Sequence, residues 1–125
     1  MATALLVSDL HLTAQPRDEY RWKLFNWLLK QIKEHSVSDL LILGDLTDAK
    51  DYHSSMLVNR IVDGMVGLKN FGHLSLKQIH ILRGNHDGTD PNYPYFWFLG
   101  YLPGVQFYKE PCGIKLFDRK VLMLP

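Results

Sequence analysis

Three short apolar runs constrain this chain more than any other feature: "ALLV" (Ala4 to Val7), "LLIL" (Leu40 to Leu43) and "IHIL" (Ile79 to Leu82). Continuous rather than alternating apolarity marks strands covered on both faces, as in a parallel sheet. Between the first two lies "YRWKLFNWLLKQIKEH", where Phe25, Leu28, Leu29 and Ile32 make one apolar helical face. Between the second and third lies "HSSMLVNRIVDGMVGL", where Leu57, Ile61, Met65 and Leu68 repeat with helical spacing. Gly64 and Gly67 weaken that pattern near its end. The order β-α-β-α-β, with crossovers of this length, predicts parallel strands joined by right-handed connections.

Past Asp87 the pattern changes. "GTDPNYPYFWFLGYLPG" starts as a Pro/Gly loop and predicts a short aromatic helix around Tyr95 to Leu99. "VQFY", "GIKLF" and "VLMLP" read as short strands of mixed direction, with Asp118, Arg119 and Lys120 as a turn. Of the aromatic group Tyr93, Tyr95, Phe96, Trp97, Phe98 and Tyr101, most is expected in the core, with one or two rings at a site rim.

Each apolar run ends in chemistry that a turn does not need. "ALLV" runs into "SDLH", "LLIL" into "GDLTD", and "IHIL" into "RGNHD". In an open parallel sheet the carboxyl ends of the strands line one crevice, where ligands bind. Asp9 and His11 are two apart, so on an extended backbone their side chains point the same way. Asp45 and Asn85 each follow a glycine that lets the backbone turn tightly. The converging set is Asp9, His11, Asp45, Asn85 and His86, with Asp48 and Asp87 just behind. Hard oxygen ligands mixed with imidazole suit Mn, Fe or Zn. A carboxylate between strands could bridge two metals about 3.5–4 Å apart. Taken singly, each Asp is a helix cap or a solvated turn. Taken together they make a metal site.

The set Asp9-Leu-His11, Gly44-Asp45-Leu-Thr-Asp48 and Gly84-Asn85-His86-Asp87 resembles the calcineurin-like metallophosphoesterases, written D-x-H, G-D-x-x-D and G-N-H-[DE]. The resemblance implies an α/β metallophosphoesterase sandwich, of which residues 1–125 would be the N-terminal part of a single domain. It implies two divalent metals, Mn²⁺ favoured over Fe and Zn. Asp9 and His11 would bind the first, Asp45 would bridge both, and Asn85 would bind the second. His86 would protonate the leaving oxygen, and Asp48 would hydrogen-bond His86 and orient it. The family continues with a lone His and then G-H-x-H. None of the six histidines here follows His86. The expectation is therefore an incomplete enzyme, weak in metal binding and turnover, needing a C-terminal part or a partner chain to supply those histidines.

A phosphodiester substrate is favoured, DNA or a nucleotide, because "SDLHL" with "GNHD" resembles SbcD-type nucleases and small phage or bacterial phosphoesterases. "SDLHL" also resembles the pyrophosphatases of UDP-sugar lipids, but those carry Arg where His86 stands. A second alternative is a non-catalytic metal-binding or interaction fragment.

The remaining features exclude rather than assign. A net charge of +1 announces no nucleic-acid or membrane partner by field alone. The single cysteine, Cys112, forms no internal disulfide and fits a reducing compartment, so a cytoplasmic place is expected. No apolar stretch approaches the roughly 20 residues that span a bilayer. His35, His53, His73 and His80 read as structural or surface residues, and Arg21, Lys23, Lys30 and Lys33 as a solvated helix face.

Overall fold

The structure is a computed structural model that describes residues 3–71, 75–116 and 119–123. Strands β1 (Ala4–Val7), β2 (Asp39–Ile42), β3 (Gln78–Leu82) and β4 (Val105–Tyr108) form one sheet in that order, every neighbouring pair parallel. A short 3-10 helix, Pro16–Trp22, leads into helix α1 (Lys23–His35), and helix α2 (Ser55–Phe71) joins β2 to β3. Strands β5 (Cys112–Leu116) and β6 (Arg119–Met123) pair antiparallel as a separate two-stranded sheet.

One face of the sheet packs on the helices and the other on β5. Strand periodicity sorts the residues. Leu5, Val7, Leu40, Ile42, Ile79, Ile81, Val105 and Phe107 join the helix-side core, where Leu28, Ile32, Ile61 and Met65 are fully buried. Leu41, Leu82 and Tyr108 face the other way, against Cys112, Ile114 and Leu116. The α2 face expected from periodicity is buried at all four positions, Leu57, Ile61, Met65 and Leu68. Gly64 does not end this helix. A Cβ there would stand 2.6 Å from the Phe25 ring, so the glycine lets α1 and α2 approach closely.

The later strands are mixed as expected: β4, reached through the 3-10 helix Tyr95–Tyr101, extends the parallel sheet, while β5 and β6 pair antiparallel. Some finer expectations need correction. Arg119 and Lys120 belong to β6, Arg119 facing Leu116, rather than to a turn. The other residue of that turn, Asp118, lies outside the described residues, as do His73 and residues 124–125 of the last expected strand. Of the aromatic cluster only Phe96 is fully buried, while Tyr93, Trp97, Phe98 and Tyr101 are exposed. Lys109 sits over the Trp97 ring, 3.6 Å from its centroid. A helix of 3-10 form eclipses side chains at i and i+3, so it offers the core a narrower stripe than an α-helix would.

Candidate metal centre

The three strand-end loops are stitched together by their backbones. Beyond β1 and β2 the chains keep running side by side: His11 N–H donates to Asp45 O (3.0 Å) and Leu12 N–H to Leu46 O (2.9 Å). Asp87 joins the third loop to the second. Its carboxylate accepts from the backbone N–H groups of Gly84, Asp45 and Leu46 at 2.5, 3.1 and 3.2 Å, and it is 1% exposed. Burial pushes its carboxyl up from the usual carboxylate range, and those three N–H groups pull it back. The sequence placed Asp87 behind the ligands. It gave no signal of the clamp, because a clamp needs two loops that meet only in the fold.

Glycine pairs with glycine at this junction. Gly44 has φ +94°, and a Cβ on it would lie 2.8 Å from Gly84 Cα. A Cβ on Gly84 would in turn run into the backbone N and carboxylate of Asp45. Neither position has room for a side chain while the loops stay this close.

The side chains then converge. Donor atoms of Asp9, His11 and Asp45 all lie within 4.8 Å of one another. His11 Nε2 is 3.7 Å from Asp9 Oδ1. The Asp45 carboxylate accepts the His86 backbone N–H through Oδ1 (2.9 Å), and its Oδ2 lies 3.4 Å from His86 Nδ1. The His11 and His86 rings meet edge to face with centroids 5.5 Å apart. Asn85 is exposed beside them, at the head of the turn that Asp87 N–H closes onto Gly84 O.

The backbone reaches this arrangement by a different route from the one expected. Asp9 and His11 do not point together from an extended strand. Both are left-handed, at φ 56° and 45°, and Asp45 is too, at 54°. Asp and His tolerate that region better than most residues, yet it costs free energy for any side chain. Among the described residues only Ser36 shares it without being a glycine. Three unfavourable backbones at one cluster point to a site whose geometry is set by function rather than by folding.

Asp48 also departs from expectation. It does not meet His86. Its Oδ1 lies 3.0 Å from His11 Nδ1, in a geometry that makes no hydrogen bond. The sequence also hid Arg21, expected on a solvated face. Its Nη1 donates to the His11 carbonyl (2.6 Å), and its Nη2 lies 3.4 Å from Asp18 Oδ1.

A divalent cation fits these residues. His11 Nδ1 and His86 Nδ1 are buried ring nitrogens that make no hydrogen bond among the described residues. His11 with the Asp9 and Asp45 carboxylates makes the oxygen and imidazole donor set of a hard to borderline metal.

The sequence matches the calcineurin-like phosphoesterase family over residues 2–122, nearly its whole length. The chain belongs to that family. Among solved structures it is similar to the crystal structure of Pseudomonas putida nuclease MPE, with a TM-score of 0.53 at 23% identity. The match covers 92% of this chain and 52% of that one, so the chain spans about half the length of that protein. At this identity the likeness is one of fold. No curated protein matches the chain. No described helix is long and apolar enough to cross a membrane.

Proposed function

We propose that the chain carries the N-terminal part of a phosphodiesterase active site that works with two divalent metals, Mn²⁺ first among them, in the cytoplasm. The observation that carries this is the cluster of Asp9, His11 and Asp45 donors within 4.8 Å, with the His86 ring 3.4 Å from the Asp45 carboxylate. Asp9 and His11 would hold one metal, Asp45 would be shared with a second, and Asn85 would offer its amide oxygen to that second metal. Bound metals neutralise phosphate charge and lower the pKa of a water nucleophile. The remaining histidine ligands come from a further segment or a partner chain. The similar solved structure is that of a nuclease, which favours a nucleic-acid phosphodiester as substrate.

The protein's own part is positioning and proton transfer. Asp45 accepts the His86 backbone N–H, which ties its carboxylate to the third strand-end loop. His86, 40% exposed at its side chain, reaches the crevice where a phosphoester would lie. An imidazole titrates near working pH and can protonate a leaving alkoxide. Asp48 stands on His11 in this structure; orienting His86 would require its carboxylate to swing across the crevice once His11 is engaged by metal.

Calorimetric titration with Mn²⁺ tests the site. Wild type gives a saturable heat, weak because only four of the family's usual ligands are in this chain, and Asp45→Ala abolishes it. Equal heats from the two proteins remove Asp45 as the bridge.

A further inference from the structure

A groove of about 590 Å³ leaves the metal cluster along the edge strand β1. Its floor is Ser8, Asp9 and Leu10, and its wall is the 3-10 helix and the start of α1, with Tyr20, Lys23 and Trp27. It is continuous with a second hollow of about 410 Å³ that shares Asp9, Tyr20 and Arg21 and reaches His11 and Asp48. A ligand anchored at the metals has open surface leading past Tyr20 and Trp27.

The wall is built to stay in place. Trp22 is buried, donates its indole N–H to Thr13 O (3.0 Å), and lies under the Arg60 guanidinium at 4.1 Å. Arg60 holds Glu19 with two hydrogen bonds of 2.8 Å. Asp18, 7% exposed, takes the Thr13 hydroxyl at 2.6 Å. Yet Tyr20 and Trp27 on this fixed wall are 63% and 48% exposed. Large exposed rings on a wall anchored beneath them are surface that a stacking partner can cover; Arg21 stands over the Tyr20 ring at 5.8 Å and bonds its hydroxyl. Lys23 lies between them in sequence and makes no ion pair among the described residues, so its charge is free for a phosphate.

We propose that this groove is the track for a single-stranded polynucleotide entering the metal cluster, with Tyr20 and Trp27 stacking bases and Lys23 contacting a phosphate. The inference rests on the phosphodiesterase reading and adds the form of the substrate. A groove lined by two exposed rings and an unpaired lysine suits an unpaired strand, since a duplex hides its base faces. A small phosphomonoester would leave the lane empty.

Fluorescence anisotropy of labelled dT and U oligonucleotides of about 15 nucleotides tests it, with a duplex of the same length beside them. Trp27→Ala and Tyr20→Ala each weaken single-strand binding by about 5- to 100-fold, while Trp27→Phe and Tyr20→Phe keep most of it. Lys23→Gln lowers the salt dependence by about 0.7 in slope. Lys77→Gln, exposed just before β3 at the end of the sheet opposite the metal cluster, changes nothing. The dT and U arms tell whether the sugar is read. Tighter duplex binding, or equal binding by wild type and the alanine variants, overturns the groove assignment. Mn²⁺ heats on the same wild-type sample report on the metal site alone, so a lost groove and a lost phosphoesterase reading give different results.

Discussion

Two histidine-carboxylate groups in this molecule look alike in composition and differ in what the fold has done with them. On the β5–β6 side of the sheet, His80 is 6% exposed and both its ring nitrogens are used: Nε2 meets Asp39 Oδ1 at 3.0 Å and Nδ1 meets the Tyr108 hydroxyl at 2.8 Å. The Ser38 hydroxyl donates to the other Asp39 oxygen at 2.7 Å. At the strand ends, His11 and His86 sit among Asp9, Asp45 and Asp48 and each keeps a buried ring nitrogen with no hydrogen bond. A buried polar group left unpaired costs about 1–3 kcal/mol. The first group therefore serves the fold, and the second holds capacity in reserve for something that arrives later.

The sharpest way to break this comparison is at His86. In a turnover-competent form of the enzyme, with the remaining ligands supplied, His86→Ala lowers kcat on an alkyl phosphodiester by about 10²–10⁴, the usual worth of a positioned general acid. The loss shrinks on a p-nitrophenyl phosphodiester, whose leaving group needs little protonation. Metal binding survives. Equal losses on both substrates, with metal stripped, would make His86 a ligand or a structural group instead.

The opposite effect belongs to Asp39. Asp39→Ala leaves His80 buried without its acceptor and costs about 1–3 kcal/mol of stability, read by denaturant unfolding. Mn²⁺ heats stay as in wild type. Asp45→Ala reverses the pattern, losing the metal heat with a smaller change in stability. If both substitutions destabilise alike and both leave the heat intact, the division into folding and functional histidines fails.

Much of this division was legible in the sequence, and the part that was not has a physical cause. The apolar runs gave β1 to β3, and helical periodicity gave the buried stripe of α2, because both are local patterns. The motif residues were found because they follow strands, and parallel strands end at one crevice. The left-handed backbones of Asp9, His11 and Asp45 were hidden, since no single-residue preference demands them. So was the pairing of Asp48 with His11 rather than His86. Asp87 and Arg21 act through contacts between distant segments: Asp87 on the N–H groups of Asp45 and Leu46, Arg21 on the His11 carbonyl. Such contacts exist only after the sheet has brought the loops together.

His53 keeps the comparison from resting on bare nitrogens alone. Its Nδ1 is also buried without a hydrogen bond. Its other nitrogen lies 2.8 Å from Thr47 Oγ1 and 3.1 Å from Ala49 O. The Thr47 hydroxyl already donates to Ala49 O at 2.8 Å, so Nε2 is the donor and Nδ1 is the bare atom of a neutral ring. The ring lies against Tyr95 and Phe96, with no strand-end carboxylate converging on it. Burial lowers its pKa from 6.5, opposed by the Ala49 carbonyl and the charge of Asp51. A histidine with a lowered folded pKa contributes stability in full above its unfolded value. That contribution is lost as pH falls through 6.5 toward the folded value, because the unfolded chain binds the extra proton. Melting temperatures taken between about pH 7.5 and 5 should fall more steeply for wild type than for His53→Gln. The difference is the smallest of these effects, since the ring is only partly buried. Mn²⁺ heats should be the same in both proteins. Parallel melting profiles would mean that Nδ1 finds an acceptor when protonated. A changed Mn²⁺ heat would place His53 with His11, and convergence of carboxylates would no longer be what separates a ligand from a core histidine.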